Sequence, residues 1–494
     1  MFSLIYQYFY QQIIHRKMKS PVGILLFAAF AFILAYFIIF ANYRIGPLVI
    51  GALAGTLIFL ICIISPLSGF YLTTFISMFA FYPQRILRTF IPISVGIEFL
   101  ILGVYLGLLI MNRKSSVNNM RFYQAPSSLA MISFLVFLLI EGFNPNMQSI
   151  PGWLFYVRRD LEFLMIYYAA YILIDSLDKV KYFIRFWIIL GLINALYTCK
   201  QQWLGLFGFE MDWLRSEPHL IALYFQGGVF RKFSFLSDPA ANGIWMASMA
   251  IFTIILSLGE KNKKRRRFYF LVSFLMILAM EYTGTRTSTV ILFAGWIFYI
   301  LMTLNNKMTF YFSAASVLLF IFLLVAPIDN PTLNRLRSSF RGSRDESLEV
   351  RNINRRRIQP YIFAHPMGGG LATSSSEGLV YNPGHPLAGF PPDSGFLKTA
   401  IETGWIGYGF AIIYYFIIIF QGVHYFFKAN NEQIRRYILA FTAAIVIFIL
   451  AQYSQVAIGQ FPGIFFFYPS AALLVRLLQL DETMPESKSY QNNL

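Results

Sequence analysis

Long apolar runs broken by short polar or basic stretches dominate the chain, and most are too continuous to be the half-buried helices of a soluble core. A helix needs about 20 apolar residues to cross the hydrocarbon layer, where no water is at hand to satisfy the backbone. Windows that meet or approach this length lie near 21–42, 46–65, 68–83, 91–111, 127–144, 161–174, 182–207, 240–258, 268–283, 288–304, 309–327, 396–427, 436–453 and 461–478. They predict an all-α polytopic membrane protein of about 12–14 transmembrane helices with a long, partly helical extracytoplasmic loop. The pattern divides the chain into N-terminal helices (1–207), central helices with an outer basic loop (208–327), the long loop (328–395), and C-terminal helices with a cytoplasmic tail (396–494).

Composition agrees: 57% of residues are apolar and 13% charged, with a mean hydropathy of +0.59. A soluble enzyme of this length is excluded, because soluble domains are roughly a quarter charged. The long apolar runs also exclude a disordered chain. Cys62 and Cys199 are the only cysteines, both in apolar windows, so neither a disulfide scaffold nor a metal site is expected. The net charge of +17 comes with no basic-aromatic stripe, zinc spacing or recognition helix, so nucleic acid is not an expected partner. The first strong apolar run has no small-residue cleavage site after it and is expected to stay in the membrane.

The basic residues instead report orientation, since Lys and Arg near span ends stay on the cytoplasmic side. If the cluster Lys261, Lys263, Lys264, Arg265, Arg266 and Arg267 is inside, alternation places four other clusters there as well. These are Arg16 with Lys17 and Lys19, Arg113 with Lys114 and Arg121, Lys179 with Lys181, and Lys428 with Arg435 and Arg436. Both termini then come out cytoplasmic, and segments 145–160, 208–239 and 328–395 lie outside.

Those outer segments carry the candidate chemistry. Arg335, Arg337, Arg341, Arg344, Arg351, Arg355, Arg356 and Arg357 stand with Asp345, Glu346 and Glu349 and with no lysine. Guanidinium alone suggests forked recognition of phosphate or carboxylate. Helical spacing puts Arg351 and Arg355 on one face, and likewise Arg337, Arg341 and Arg344; a solvated helix with internal ion pairs is the plainer account of the same pattern. In the second outer segment, Gly227 and Gly228 precede Arg231, Lys232 and Ser237-Asp238-Pro239. Asp238 and Pro239 suit the N-cap and first position of the helix that follows, while Arg231 and Lys232 are candidates to face the same anion as the arginine loop.

Between two spans lies Tyr282-Thr283-Gly284-Thr285-Arg286-Thr287-Ser288, where Arg286 either snorkels or joins helix-terminal amides in holding an anion. The long loop closes with His365-Pro366-Met367-Gly368-Gly369-Gly370, then His385, Pro392-Asp393-Ser394-Gly395, and Glu402-Thr403-Gly404-Trp405-Ile406-Gly407. Asp393, His365 and His385 are its candidate general bases. Glu98, Glu141, Glu281 and Lys200 fall within or beside apolar windows and need partners, unless they sit at span ends in the headgroup layer.

Four of these segments, in this order, resemble the O-antigen ligase and polymerase family of membrane glycosyltransferases. They are the Phe-x-x-Asp-Pro-x-x-Asn-Gly-like run from Phe235 to Gly243, the Gly-Thr-Arg-Thr-Ser turn from Gly284 to Ser288, the arginines before His365-Pro366-x-Gly-x-Gly, and the Leu-x-x-x-x-Glu-x-Gly-x-x-Gly close from Leu397 to Gly407. The resemblance covers residues 225–430; before that only the row of spans is similar. It implies an inverting glycosyl transfer, with no metal or other cofactor, on the outer side of the bacterial inner membrane. The implied partners are an undecaprenyl-diphosphate-linked oligosaccharide donor, a glycan or lipid A core acceptor, membrane lipids and, as a candidate, a chain-length regulator.

The leaving diphosphate would be met by Arg286, Arg231, Lys232 and one or more of Arg351, Arg355 and Arg356. Many relatives carry a His-Asn pair where this chain has Asp393-Ser394, which leaves the base to Asp393 or His385, or the transfer to charge stabilisation with no dedicated base. Polymerase is the first reading and ligase the second. A transporter or flippase is a third of a different class, disfavoured by the lack of an evident inverted repeat.

Overall fold

The computed structural model describes residues 45–88, 93–111, 119–226, 228–304 and 346–483, with isolated positions between 311 and 337. The predicted window 21–42, most of 309–327, both termini, Gly227 and Asp345 lie outside the described residues. So do Arg16, Lys17, Lys19, Arg113, Lys114, Arg335, Arg341 and Arg344.

The described chain is almost entirely helical. In order come α1 (Ile45–Ile64), α2 (Pro66–Met78), α3 (Tyr82–Leu87), α4 (Ile93–Met111), α5 (Asn119–Gln124), α6 (Pro126–Ile140), α7 (Ile150–Leu173) and α8 (Leu177–Trp203). Two short helices follow, α9 (Gly208–Arg215) and α10 (Pro218–Tyr224), then an antiparallel ribbon of β1 (Phe225–Gln226) and β2 (Val229–Phe230). The rest is α11 (Pro239–Leu258), α12 (Lys263–Tyr282), α13 (Arg286–Met302), α14 (Glu346–Ala364), α15 (Ser375–Tyr381), α16 (Gly395–Lys428), α17 (Glu432–Ala451) and α18 (Gly463–Thr483).

Seven segments among the described residues are long and apolar enough to cross a membrane by length and composition: α4, the stretch Pro126–Phe143, α8, α11, α16, α17 and α18. The protein is therefore an all-α multi-pass membrane protein. Each predicted window within the described residues corresponds to a helix, and the start is most displaced at 161–174, the second half of α7, which already begins at Ile150. Ser149 explains that start, because its side chain accepts from the Gly152 amide as an N-cap, with Pro in the first turn.

Packing separates a centre from a periphery. In α11 and α18, 89% of the apolar window is buried, and in α17 78%, against 33% in α16. The outer face of α16 presents Phe416, Phe420 and Phe427, each at least 60% exposed, as expected of a wall that meets lipid tails. Small residues let the central helices approach: Gly295 of α13 lies against Ile447 of α17, and Gly422 of α16 against Thr442.

The loops segregate to two ends, as the alternation of spans requires. At one end Lys261 pairs with Glu432 at 2.9 Å, Lys428 pairs with Glu482 at 3.1 Å, and Asp481 accepts from the Asn430 and Asn431 amides. Segments 144–147, 231–238, 282–286, 365–398 and 452–455 touch one another at the other end. Glu98, Glu141, Glu281 and Lys200 also have partners: Arg158 (2.9 Å), Asn144 (2.7 Å), Thr289 (3.2 Å) and the Gly205 carbonyl (2.9 Å) respectively. Each lies within the first or last two turns of its helix or just past it, which favours the span-end reading.

Candidate active site

The basic segment before α11 is built around the helix N-terminus that the sequence predicts. Asp238 is the N-cap, its side chain accepting from the Ala240 and Ala241 amides at 2.8 and 2.9 Å, with Pro239 at the first position. Behind it Arg85 of α3 is wholly buried, stacked near Trp213 and Phe233, and donates to the carbonyls of Ser234, Leu236 and Ser237. A buried guanidinium with three carbonyl acceptors holds this irregular backbone in one shape. Sequence reasoning did not single out Arg85; its position just after a Pro at a span end carries no distinguishing signal.

The same segment docks on the Gly-Thr-Arg turn. Arg231 donates through Nε to the Thr283 carbonyl at 3.0 Å and through a terminal nitrogen to Thr285 Oγ1 at 2.9 Å. Thr285 in turn donates to the Pro239 carbonyl at 3.1 Å, and the Lys232 amide to the Tyr282 carbonyl at 3.3 Å. Gly243 is the close-approach point, where a Cβ would overlap the Ser288 hydroxyl. Arg286 opens α13 and is exposed, at the positive end of the helix dipole. Arg231 and Arg286 are therefore brought together, whereas the Lys232 side chain is 8% exposed and lies within the fold.

The two glycine motifs of the long loop interlock. Gly404 interrupts α16 with φ 67° and ψ −172°, leaving helical hydrogen bonds unmade. The 366–370 turn, with Gly368 and Gly370 at positive φ, replaces them: the Gly369 and Gly370 amides each donate at 2.9 Å, to the Ile401 and Glu402 carbonyls, and the Ile406 amide donates to Pro366 O at 3.3 Å. Asn144 and Asn146 hold the other edge, donating to the Met367 and Gly368 carbonyls at 2.6 and 2.8 Å.

A turn that the sequence left unremarked, 452–455, joins the two halves. Ser394 donates to the Gln452 carbonyl at 2.8 Å, the Gly395 amide to the Gln455 carbonyl at 3.3 Å, and Gln455 Nε2 to Asp238 at 3.4 Å. Asp393 sits at this junction, half-buried, accepting from Asn354 Nδ2 at 3.4 Å. From α14, Arg355 reaches over the Tyr453 ring and donates to its hydroxyl at 2.6 Å and its carbonyl at 2.9 Å. Arg351, one turn earlier on the same face, is half-buried, and Arg356 is exposed.

His385 is placed differently. It is 6% exposed inside the loop beside Gly369, and its Nδ1 accepts from the Leu387 amide at 3.2 Å, which leaves the ring proton on Nε2 when neutral. Burial, and then the neighbouring His365, push its pKa below the ordinary 6.5. His365 stacks on Tyr361 with centroids 4.0 Å apart. Among the described residues no group of three or more His, Cys, Asp or Glu could hold a metal ion.

Directly behind Asp393, between α7 and α16, lies a cavity of about 100 Å³ lined by Tyr156, Arg159, Asp160, Lys398, Glu402 and further aromatic residues. Its charges form one network. Lys398 bonds Glu377 at 3.1 Å, Glu402 accepts from the Ser374 hydroxyl at 2.6 Å, and Tyr156 lies in hydrogen-bonding reach of both Glu402 and Arg159. Except for Glu402, quoted only as part of a motif, none of these was picked out from the sequence. The signal was Arg158-Arg159-Asp160 followed by Glu162 in the first half of an otherwise apolar helix, a density of charge that a membrane helix keeps only with partners.

The multi-pass helical bundle thus gathers arginines, a carboxylate and a polar cavity at one end. Residues 271–412 match the O-antigen ligase family, a family of membrane polysaccharide-assembly enzymes, which bears out the family resemblance over three of the four motifs; the Phe235–Gly243 run lies before the matched residues. The match takes in the Arg286 turn, the long loop and the Glu402–Gly404 break. No curated protein matches the chain.

Proposed function

We propose that this protein is a glycosyltransferase of the bacterial inner membrane that moves a glycan from an undecaprenyl-diphosphate carrier to a growing lipid-linked polysaccharide, at its extracytoplasmic end. The observation that carries this reading is the docking of Arg231 onto the turn that presents Arg286, on the same end as Asp393 and the polar cavity. A glycosyl diphosphate leaves as an anion, and preformed guanidinium donors lower the cost of that developing charge without rearrangement. In this reading Asp393 takes the proton of the acceptor hydroxyl. The hydroxyl oxygen forms a bond to the anomeric carbon as the bond to the diphosphate oxygen breaks on the opposite face, which inverts the centre. Arg286 and Arg231 receive the diphosphate, with Arg351, Arg355 and Arg356 around its approach. The half-exposed position of Asp393 favours it over His385, which is buried within the loop.

The family match is equally compatible with a second reading in which lipid A core is the acceptor. Surface glycan profiling separates the two in a deletion strain complemented with wild type or Arg286→Ala. Loss of long polymer while single repeat units still reach the surface acceptor supports polymerase; loss of every glycan-capped acceptor with carrier-linked polymer accumulating supports ligase. An unaltered profile with Arg286→Ala would overturn both and favour a transporter.

A further inference from the structure

The cavity between α7 and α16 is too large and too polar to be a packing flaw. One water needs about 10–15 Å³ of such space, whereas this cavity offers about 100 Å³. Two polar atoms on its wall are buried with no hydrogen-bond partner among the described residues: Arg159 Nε, a donor, and the Tyr414 hydroxyl, which donates or accepts. Around them stand the rings of Tyr156, Tyr415 and Tyr468 and the hydroxyl of Thr399. The charges do not suit an anion, because Asp160, Glu377 and Glu402 at least balance Arg159 and Lys398. What fits is an uncharged occupant with an apolar face to lie on aromatic rings and an edge of hydroxyls to satisfy both orphan atoms.

We propose that this cavity is a subsite for one neutral sugar ring, a hexose or an N-acetylhexosamine, of the glycan that the protein handles. The proposal rests on the glycosyl-transfer reading for its biological meaning, but binding of the sugar requires no transfer. It also gives the neighbouring Asp393 a reason for its place, since Gly395 and Gln452 form both the cavity's rim and the junction at which Asp393 stands.

Saturation-transfer NMR on the purified full chain, in a detergent without a sugar headgroup, tests the proposal with free galactose, N-acetylglucosamine and glucuronate as probes. Signal from the neutral sugars, weaker signal from glucuronate, and affinity reduced about fivefold to tenfold by Tyr414→Phe are expected, the last reflecting one lost hydrogen bond. Tyr414→Phe keeps the ring and hence the packing, and an unchanged melting temperature verifies that. Absent signal, or equal signal in wild type, Tyr414→Phe and Arg159→Gln, would overturn the proposal and leave a water-filled cavity. Absent sugar binding together with polymer loss in Arg286→Ala would remove the subsite and leave transfer standing. Sugar binding with an unaltered glycan profile would do the opposite.

Discussion

Gly404 adopts φ 67° against the carbonyl of Pro366, and a Cβ there would overlap that oxygen. Two constraints coincide, a left-handed backbone and a backbone-to-backbone contact, and only glycine meets both. Gly404→Ala is therefore expected to lower stability by about 1–3 kcal/mol from strain alone, with the overlap adding to it. Gly409→Ala, five residues on with open space at its Cβ, is expected to be neutral or slightly stabilising. Thermal denaturation of both variants in detergent checks the pair; equal melting temperatures would mean that the 366–370 turn does not depend on this break.

That interlock also marks how far sequence reading reaches in this protein. Hydropathy located the helices well, because a membrane admits only helices among long apolar runs. Local chemistry was legible too: Asp238 caps α11 and Pro239 opens it as their residue types suggest. The pairing of Gly369 and Gly370 with Ile401 and Glu402 was not, because it is a long-range backbone register with no periodic signal. The cavity was hidden for a different reason. Arg159 and Asp160 lower the hydropathy of α7 enough to make its first turns read as outer loop, and only the partners on α15 and α16 show how those charges are held.

Arg231 uses its fork rather than its charge alone, since Nε and a terminal nitrogen reach two different acceptors on the Gly-Thr-Arg turn. Lysine keeps the charge and loses that geometry. Arg231→Lys should thus loosen the turn and cut polymer output in the complementation assay, with Arg231→Ala lower still, each lost charged hydrogen bond amounting to about 1.5–3 kcal/mol. Wild-type output from Arg231→Lys would show that charge suffices and that the turn does not depend on this anchor.

A base role for Asp393 predicts that Asp393→Asn retains donor binding and loses turnover by about 10²–10⁴-fold. His385→Gln should leave turnover within a few-fold, because that ring is enclosed by the loop. Transfer rates and donor affinity measured on purified protein with a lipid-diphosphate donor check both variants; the reverse ranking would move the base to His385.

Acid sensitivity follows from Glu377. Burial alone would raise its pKa, but Lys398, through charge and a hydrogen bond, together with Glu377's own backbone and Arg159, holds it below 4.5. A carboxyl depressed on folding contributes stability that is complete above the unfolded pKa and lost as pH falls through the folded one. His385, depressed below 6.5 by burial and His365, has the same sign at higher pH: its contribution is complete above 6.5 and declines below it. Melting temperature should fall in two stages on acidification, with Glu377→Gln flattening the lower stage and His385→Gln the upper. Curves that match wild type in both variants would remove these groups as the source.

The sidedness expected of the site rests on charge at the opposite end. Lys261, Lys263, Lys264 and Arg265 to Arg267 lie with Lys428 and Arg435 around the Lys261–Glu432 pair, and a basic end of this kind is expected to face the cytoplasm. The proposed function then predicts that the end with Arg286 and Asp393 faces outward. Cys62 and Cys199 are fully buried, so introduced cysteines can be labelled against a silent background. Val380→Cys, at a position 72% exposed on α15, should react with an impermeant maleimide in spheroplasts. Lys263→Cys, exposed at the start of α12, should react only after lysis. The opposite pattern would put the arginines and Asp393 in the cytoplasm, where transfer onto a glycan outside the cell membrane is impossible, and would overturn the proposed function together with its topology.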